Sequence, residues 1–394
     1  MRKKGKIRLL HILPFLNKGG GTENIVFDLL SRLDPAIFEK QVCVTHKPAD
    51  GLQALKFKTA GIDVFELPRK ENRRERFAGL LKYLRSNDFD IAHIHTYDGN
   101  ENHARFVCIL AGVPAILTYD HRFAFWNDKP VFNLVWSVLN LFTYKNIAIS
   151  DTCRDFRKQC CFWQKDKVIT VNNGVDLDVF SPASSQEKRK FKIQYGIDPG
   201  DLVVGAAGRL VEVKRFDMLI KAAKLMENRK NITFIIAGSG HLEGSLKRLA
   251  GELGLKKIRF TGWLNDIPSF YKALDAYLMS SEFHEGFGLV TAEAMASGVP
   301  VVAINDPNHM KVINPGHAIF VVPTPRGISD GIEKILDNRQ LALELMAKGR
   351  KRAEECFDIN RAVKELEEIY LSAIRSKSFK KDKAGDNSAN HNCV

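Results

Sequence analysis

The sequence predicts an α/β protein made of two Rossmann-like, doubly wound domains that face each other across a cleft. Short β-branched runs alternate with longer helical patterns from end to end, and this alternation is typical of parallel sheets covered by helices. The chain of 394 residues is too long for one ordinary domain. The alternation also pauses once and restarts at Leu202. We therefore expect two domains, with ligands bound at the carboxyl ends of both sheets.

The strand candidates form two series of short apolar runs. In the first half of the chain they lie at residues 7–13, 41–45, 62–67, 91–95, 115–119, 146–150 and 168–171. In the second half they lie at residues 202–206, 232–237, 258–261, 276–279, 299–304 and 318–322. Helices are expected between them, such as one over residues 23–33, whose apolar face is formed by Ile25, Val26, Leu29, Leu30 and Leu33.

The pause in the pattern lies between Asp176 and Gly200, and its serines, proline and charged run indicate an interdomain linker. The predicted domains are residues 1–180 and residues 190–357. A further helix is expected over residues 359–375, because apolar side chains recur there near helical spacing. The polar, low-complexity segment 376–394 is predicted to be a disordered tail.

The composition is that of a soluble globular protein, with 45% hydrophobic and 27% charged residues. The net charge of +13 attracts anions such as nucleic acid, an acidic membrane surface or phosphorylated substrates, and does not choose among them. Seven cysteines at irregular spacing favour free thiols in a reducing, cytoplasmic compartment. Arg8 and His11 interrupt the first apolar run, which favours a strand over a signal peptide. No run reaches the ~20 apolar residues of a membrane span.

Residues 285–293 carry the most informative motif, with carboxylates at both ends and two glycines between them. A helix is expected to begin near Gly288 and end at Gly298. Glu285 then lies in the preceding loop, and Glu293 lies about one and a half turns inside the helix. Glycines at a helix start let an anion approach the N–H groups. Carboxylates beside such a site suit the hydroxyl groups of a ribose or a sugar, so the motif suggests a nucleotide-sugar site.

Two other loops follow strands at positions where phosphate binds in open α/β sheets. Gly20 and Gly21 lie between the first strand and the first helix, and a plain tight turn explains them equally well. Arg209 and Lys214 follow the first strand of the second domain. We interpret these two cations as a diphosphate clamp, with a solvated charged loop as the alternative.

Three further residues are candidates because they also follow strands. Gly238 ends a strand at the same edge of the sheet, and Trp263 either forms a wall for a base or belongs to the core. His121 follows the strand at 115–119, which favours a functional role over the structural role of most lone histidines. The Asp-x-Asp matches at Asp88 and Asp176 are interpreted as turns, and no metal site is predicted.

Taken in order, these segments resemble the family 4 retaining glycosyltransferases, which adopt the GT-B fold. The resemblance covers nearly the whole chain and is carried by residues 19–23, 173–176, 208–214, 238–240, 262–263 and 285–302. The chain departs from the family in one place. Members usually have Gly-Gly and then Glu after the strand at 299–304, where this sequence has Asn-Asp-Pro-Asn-His-Met-Lys at 305–311.

The resemblance implies roles for the candidate residues. Arg209 and Lys214 would hold the donor diphosphate, and Glu293 would hydrogen-bond the donor ribose. Glu285 would contact the transferred sugar, and His121 would lie near its anomeric carbon. The N–H groups of the helix start would lie beside the sugar, and glycines of the first domain would border the phosphates; these residues are Gly286, Phe287, Gly288, Leu289, Gly20 and Gly21.

The resemblance also implies a mechanism and an arrangement of domains. Such enzymes use no metal and no other cofactor, and they retain the anomeric configuration. The leaving diphosphate takes the acceptor proton, so the protein contributes positioning and charge stabilisation. The helix at 359–375 would cross back onto the first domain, which would bind the acceptor, while the second domain would bind the nucleotide sugar.

Two segments of the first domain bear on the acceptor. The basic cluster at 69–76 either docks on an anionic membrane that carries a lipid-linked acceptor or forms a solvated face. Residues 131–142 are unusually apolar, and a buried helix is the favoured interpretation.

The sequence as a whole therefore predicts a hexosyltransferase of lipopolysaccharide or exopolysaccharide biosynthesis. Its donor would be a nucleotide diphosphate sugar, with UDP preferred, and its acceptor a glycolipid or oligosaccharide. It would be cytoplasmic, or peripheral on the inner face of the cell membrane. The alternatives are a sugar-nucleotide epimerase on the same fold and, remotely, a non-enzymatic anion- or nucleic-acid-binding protein. No nucleic-acid recognition motif is present, so nucleic acid is not an expected partner.

Overall fold

The computed structural model divides into two compact units. The first comprises Met1–Asn172 and Asn360–Val394, and the second comprises Asn173–Ile359. The structure describes residues 5–17, 21–46, 49–67, 73–96, 101–121, 130–282 and 287–389, with the main chain only beyond residue 376. Each unit contains one parallel sheet with helices, so the predicted fold class is confirmed.

The first unit is built on seven parallel strands in the order β3-β2-β1-β4-β5-β6-β7. Its strands are β1 Ile7–Leu13, β2 Phe38–Val44, β3 Asp63–Glu66, β4 Ile91–Thr96, β5 Ala115–Asp120, β6 Lys145–Ala148 and β7 Val168–Thr170. Its helices are α1 Gly21–Arg32, α2 Gly51–Thr59, α3 Arg73–Arg85, α4 Glu101–Ala111, α5 Pro130–Asn140 and α6 Asp151–Gln159. The strand order reverses between β1 and β4, which is the position where open α/β sheets bind ligands.

The second unit has six parallel strands in the order β10-β9-β8-β11-β12-β13. Its strands are β8 Leu202–Ala207, β9 Ile232–Ala237, β10 Ile258–Gly262, β11 Ala276–Met279, β12 Val301–Ile304 and β13 Ile319–Val321. Its helices are α7 Ser185–Gln194, α8 Phe216–Leu225, α9 Glu243–Glu252, α10 Ile267–Ala273, α11 Leu289–Ala296, α12 Pro307–Ile313, α13 Pro325–Leu336 and α14 Arg339–Cys356. Here the order reverses between β8 and β11.

Every predicted strand occurs in the structure. β2 differs most from its predicted bounds, because it begins at Phe38 rather than at residue 41. The strands are apolar throughout because both faces of a parallel sheet are covered by helices. In β9, for example, all residues of Ile232–Ala237 are buried.

The predicted linker at 176–200 is wrong. The unit boundary follows Asn172, and the segment contains helix α7. Ser184 and Glu187 form a capping box at its start, with the serine and the glutamate each bonding the main chain of the other. Lys188 and Lys192 of α7 bind Asp275 at the start of β11. The charged run is therefore one face of a helix packed on the second unit.

The expected burial of residues 131–142 is also wrong. Helix α5 buries Trp136, Ser137, Leu139 and Asn140 on one side. Its other side leaves apolar residues exposed at helical spacing, namely Val131, Leu134, Val135 and Val138, followed by Leu141 and Phe142. The run is apolar on both faces, and one of them packs on the first unit while the other is not covered by any part of the chain that the structure describes.

Helix α15 runs over Ile359–Ala389 and returns the chain to the first unit. Its buried residues Leu366, Tyr370 and Ala373 recur at helical spacing. The predicted disordered tail from 376 differs from this structure, in which the helix continues to Ala389. The extension has no proline and contains helix-favouring lysines and alanines, so it can propagate the helix that precedes it. No helix of the described residues is long and apolar enough to cross a membrane.

Candidate functional site

The second unit brings the predicted donor-binding residues to the carboxyl end of its sheet. Arg209 and Lys214 follow β8, Gly238 follows β9, and Trp263 follows β10. Helix α11 begins after the segment that follows β11. Because carboxyl ends of parallel strands share one edge, these loops lie at the edge where the strand order reverses.

Glycines allow the loops after β8 and β9 to pack main chain against main chain. A Cβ atom at Gly238 would lie 1.9 Å from the carbonyl oxygen of Gly208, and one at Gly240 would lie 2.3 Å from the carbonyl oxygen of Leu210. The Gly208 N–H donates to the Ala237 carbonyl at 2.9 Å. Gly238 therefore has a structural reason to be glycine, and its φ of 135° adds to that requirement.

The two cations of the loop after β8 differ in their surroundings. Arg209 is exposed and Lys214 is partly buried. The side chain of Lys214 passes close to Gly208, because a Cβ atom added to Gly208 would lie 3.6 Å from Cε of Lys214. The Lys214 carbonyl accepts a hydrogen bond of 2.8 Å from the hydroxyl of Ser280, which follows β11. The loops after the two strands at the reversal of order are thus tied together beneath Lys214.

Helix α11 begins as the sequence predicts. Gly288 is its N-terminal cap and has a left-handed conformation, with φ of 75°. Phe287 is buried and packs edge-to-face on Phe357, with ring centroids 5.1 Å apart. Leu289 is the first residue of the helix. Glu285 and Gly286 lie outside the described residues.

Glu293 lies inside α11 and is held by a tyrosine that sequence reasoning missed. The Tyr271 hydroxyl donates to Glu293 Oε2 at 2.7 Å. Burial, followed by the nearby Glu293 charge, raises the pKa of Tyr271 well above its usual value, so the phenol stays protonated and donates. Tyr271 comes from α10, and no local pattern links it to Glu293. Its ring packs on Phe180, Phe270 and Tyr277.

Trp263 and the segment 305–311 complete the edge of the second sheet. Trp263 is 44% exposed, so it does not belong to the core. In the segment that departs from the family pattern, Asp306 caps α12 by accepting from the N–H groups of Asn308 and His309. A capped helix therefore follows β12, and His309 is buried within it.

In the first unit, His121 directly follows β5 and is 8% exposed. Its Nε2 atom lies 2.8 Å from Nδ1 of His95 in β4. Gly21 is the first residue of α1 and is exposed, while Gly20 lies outside the described residues. The β1 and β4 strands meet at the reversal of order, so Gly21 and His95 mark the ligand-binding edge of this sheet.

A buried ion pair supports the position of His121. The Arg157 Nε atom donates to Asp120 Oδ2 at 2.7 Å, and both side chains are at most 4% exposed. Thr96 donates from its hydroxyl to the other oxygen of Asp120 at 2.8 Å. The Arg157 guanidinium also lies 4.9 Å from the ring centre of Trp136. Because Asp120 is held from two elements, α6 and β4, the main chain that carries His121 is fixed.

The predicted Asp-x-Asp turn at Asp176 is confirmed. Oδ1 of Asp176 accepts hydrogen bonds from the N–H groups of Asp178 and Val179, as in an Asx-turn. Among the described residues, one group with metal-ligand chemistry occurs elsewhere, where His11, His93 and His95 meet in the first unit.

Comparison with known protein families matches both units of the chain. The model described as "Glycosyltransferase Family 4" matches residues 19–179, and the model described as "Glycosyl transferases group 1" matches residues 187–352. The two matches meet near the boundary between the structural units.

Two curated relatives are named as sugar transferases. The chain is 29% identical over 311 residues to the Escherichia coli UDP-Gal:alpha-D-GlcNAc-diphosphoundecaprenol alpha-1,3-galactosyltransferase, covering 76% of this chain and 79% of the relative. It is 30% identical over 216 residues to the Rhizobium meliloti lipopolysaccharide core biosynthesis mannosyltransferase LpsB, covering 52% of this chain and 61% of the relative.

Solved structures share the fold over almost the whole chain. Anabaena HepE in complex with UDP and glucose has a TM-score of 0.78 at 20% identity, covering 93% of this chain and all of that one. A glycosyltransferase from Rickettsia africae has a TM-score of 0.82 at 18% identity, covering 94% of this chain and 99% of that one. These structures have the GT-B fold, as predicted for this chain.

Proposed function

Because the chain belongs to the family 4 glycosyltransferases, we propose that it transfers a hexose from a UDP-sugar to a lipid-linked or surface-polysaccharide acceptor, with retention of anomeric configuration and without a metal. The contact between Tyr271 and Glu293 carries the proposal for the donor side. A buried phenol fixes the orientation of the carboxylate, and a carboxylate has about four acceptor sites, so Glu293 can also accept from a ligand hydroxyl. The oxygens of a diphosphate accept hydrogen bonds and do not donate one to this carboxylate, whereas the hydroxyl groups of a ribose do donate.

In the proposed mechanism, the second unit binds the donor through charge and hydrogen bonds. Arg209 and Lys214 neutralise the diphosphate, and Trp263 offers an exposed ring for the base. Glu293 accepts a hydrogen bond from the ribose, and Glu285 contacts the sugar. The diphosphate is also the leaving group, so cations that bind it stabilise the charge that develops as the glycosidic bond breaks.

The acceptor reacts in a step that needs no carboxylate base. As the bond from the anomeric carbon to the diphosphate oxygen breaks, the acceptor hydroxyl adds to the same face of that carbon. Its proton passes to the departing diphosphate oxygen. His121 is the residue of the first unit that the resemblance assigns to the reaction, and its proposed contribution is positioning.

The choice of UDP and of a lipid-linked acceptor follows the E. coli relative, whose name contains UDP-Gal and diphosphoundecaprenol. The HepE structures also contain UDP. The donor and the acceptor can be tested separately, because donor binding is assigned to the second unit and acceptor binding to the first unit.

Thermal stabilisation by nucleoside diphosphates tests the donor proposal. UDP should raise the melting temperature, because a ligand that binds only the folded state at 100 times its Kd adds about 2.7 kcal/mol. Arg209→Ala and Lys214→Ala should each weaken that effect. The matched controls are Arg259→Ala and Lys256→Ala, which remove exposed cations at the amino end of β10. If no nucleoside diphosphate stabilises the wild-type protein, the proposal fails.

We also propose that helix α5 docks on an anionic membrane that presents the acceptor. Its exposed apolar face includes Val131 at 73% and Leu134 at 46% exposure. Trp163 lies next to this helix, because its carbonyl accepts a hydrogen bond of 3.1 Å from the Asn140 amide, and its side chain is 47% exposed. An amphipathic aromatic residue beside an apolar stripe is typical of interfacial helices.

Positive charge near the same helix favours anionic lipid as the partner. The exposed Lys165 follows Trp163 by two positions, and Lys167 binds the carbonyls at the end of α5 at 2.7–3.1 Å. Each lysine near an anionic surface contributes about 1 kcal/mol of attraction. In the basic cluster at 69–76, residues 69–72 lie outside the described residues, while Arg74 is exposed.

Vesicle co-sedimentation tests this docking. Binding to phosphatidylglycerol vesicles should exceed binding to phosphatidylcholine vesicles. Val135→Glu should weaken it at least about tenfold, because burying one valine contributes about 1.5–3 kcal/mol. Leu343→Glu, on the exposed surface of α14 in the second unit, is the matched control. Equal binding to both vesicle types, or an equal loss in the two variants, contradicts the proposal.

A further inference from the structure

A continuous chain of hydrogen bonds links His121 to helix α15. Nδ1 of His95 binds His121, and Nε2 of His95 lies 2.7 Å from Nδ1 of His11. Nε2 of His11 lies 3.2 Å from the hydroxyl of Tyr370 in α15. That hydroxyl lies 2.6 Å from Nδ1 of His93. Four histidines and one tyrosine are thus joined in series, although they come from β1, β4, α15 and the end of β5.

The sheet geometry explains why these side chains meet. His93 and His95 are two residues apart in β4, so they point to the same face of the sheet. His11 of β1 is the register partner of His93. Helix α15 covers this face, and Tyr370 is fully buried there. The chain is therefore sealed beneath a helix of the same unit.

Burial keeps three imidazoles of the chain neutral, those of His11, His93 and His95. Desolvation is the main cause that lowers the pKa of His93, to about 3, and that lowers the pKa of His11 and His95 well below their usual value. A neutral imidazole has one N–H and one acceptor nitrogen. Each of these three rings therefore donates at one nitrogen and accepts at the other.

Two arrangements of protons let every group of the chain donate to its neighbour in the same direction. In one, every group donates away from His121 and toward His93. In the other, every group donates toward His121. A reversed link between two imidazoles would place two N–H groups, or two lone pairs, face to face in a buried site. At Tyr370, acceptance from both neighbours would leave the buried O–H outside the chain. The environment of the far end distinguishes the two arrangements.

The far end makes the two arrangements unequal in energy. Nε2 of His93 has no hydrogen-bond partner of good geometry among the described residues. Donation away from His121 leaves a hydrogen on this buried atom, whereas donation toward His121 leaves a lone pair there. An unmatched buried donor and an unmatched buried acceptor differ in their desolvation cost, so one arrangement is populated over the other.

We propose that this chain holds His121 in one tautomer, which the far end of the chain selects. His95, His11 and Tyr370 are positioning residues, since they act through His121. The role of Nδ1 of His121 toward a substrate hydroxyl rests on the proposed function, whereas the tautomer does not.

A metal ion is the competing explanation for three of these histidines. The ligand atoms of His11, His93 and His95 lie within 4.8 Å of one another. Two nitrogens bound to one tetrahedral zinc at ~2.0–2.1 Å stand about 3.3 Å apart. The nitrogens of His11 and His95 are 2.7 Å apart, which is a hydrogen-bond distance. The arrangement is that of a chain and not of a cage around an ion.

Long-range ¹H–¹⁵N spectra of the full-length protein, labelled with ¹⁵N-histidine, measure the tautomers directly. The His121 signals are assigned by their loss in His121→Gln. We expect one tautomer of His121 to exceed the other at least about tenfold in the wild-type protein. Tyr370→Phe removes the link to His93 and should bring both tautomers to similar populations. His93→Gln is a second variant that removes the end of the chain.

Tyr119→Phe is the matched control, because Tyr119 is buried against the rings of His93, His95 and His121 and its hydroxyl bonds the Val171 carbonyl instead. It should leave the tautomer unchanged. A wild-type mixture of tautomers, an unchanged tautomer in both variants of the chain, or stoichiometric binding of added Zn²⁺ that shifts the His11 and His95 signals would overturn the proposal. If His121 has a single tautomer but no nucleoside diphosphate stabilises the protein, the proposed function is contradicted and the proposal about the tautomer stands.

Discussion

Tyr271→Phe should weaken nucleotide binding although Tyr271 is fully buried and lies in no predicted motif. The substitution keeps the ring that packs on Phe180 and Phe270 and removes only the hydroxyl that donates to Glu293 at 2.7 Å. A hydrogen bond to a charged group contributes about 1.5–3 kcal/mol. Glu293 is partly exposed, so the lower end of this range applies, and we expect the free energy of unfolding to fall by about 1–1.5 kcal/mol.

The effect on affinity follows from the freedom that Glu293 gains. Fixing one side chain on binding costs about 0.5–1.5 kcal/mol. In the wild-type protein, the hydrogen bond from the Tyr271 hydroxyl already fixes Glu293 before the ligand binds. The Kd for UDP should therefore rise about 2–10-fold in the variant. Tyr195→Phe is the matched control, because the Tyr195 hydroxyl bonds Ser269 of the same helix α10 at 2.7 Å and does not bond Glu293.

Calorimetric titration with two ligands separates positioning from general damage. With UDP, Tyr271→Phe should show the loss of affinity and Tyr195→Phe should not. With 2′,3′-dideoxyuridine diphosphate, which lacks the ribose hydroxyls, wild type and Tyr271→Phe should bind alike. An equal loss with both ligands would refute the reasoning, since it would mean that Glu293 is not the group through which Tyr271 acts.

Two other predictions concern stability of the second unit. Gly238→Ala should lower the free energy of unfolding in urea by at least about 2 kcal/mol, because its Cβ would collide with the carbonyl of Gly208 at 1.9 Å in a conformation that disfavours side chains. Gly244→Ala, inside α9 with no atom within 4 Å of the new Cβ, should instead stabilise by about 0.5–1 kcal/mol, and equal effects would contradict the packing argument. Asp275→Asn should destabilise by about 2–3 kcal/mol at pH 7, because it leaves two lysines of α7 without their carboxylate. Burial raises the pKa of Asp275, but those lysines outweigh it and the net shift is downward, so the stabilisation is present above about pH 4 and is lost as the pH falls through the folded-state pKa. Unfolding midpoints measured from pH 7 to pH 3 should therefore converge for wild type and variant, and a constant gap would contradict this.

The features that the sequence predicted best are those set by local pattern. The strands are continuous apolar runs bounded by glycine, proline or charge, so their positions follow from a few neighbouring residues. The start of α11 was equally local, because Gly288 occupies a left-handed cap that glycine fills without strain. Even the missed helix α7 had a local signal, since Ser184 and Glu187 have the spacing of a capping box.

The features that the sequence did not predict depend on contacts between distant segments. Tyr271 meets Glu293 across 22 positions, and Tyr370 meets His11 across 359. The spacing of His93 and His95 shows that they share a face, but not that a tyrosine of the last helix covers them. The exposed face of α5 was missed for a different reason. An apolar run long enough for a helix is compatible with burial on one side or on both, and composition does not distinguish them.

The second unit separates the groups that stabilise it from those proposed to bind ligand. At the amino ends of its strands, charged side chains are paired: Asp275 with two lysines of α7, and Asp201 with Lys257 at 2.7 Å and with the Thr233 hydroxyl at 2.6 Å. At the carboxyl ends, glycines remove side chains from the loops and Arg209 is exposed. A cation that binds a ligand must be accessible to it, whereas removing one partner of a buried ion pair destabilises the fold. Substitutions at the amino ends should therefore change stability with little effect on nucleotide affinity, and removal of Arg209 should do the reverse. Gly238 is the exception, because it lies at the ligand edge and yet is required by the packing of two loops.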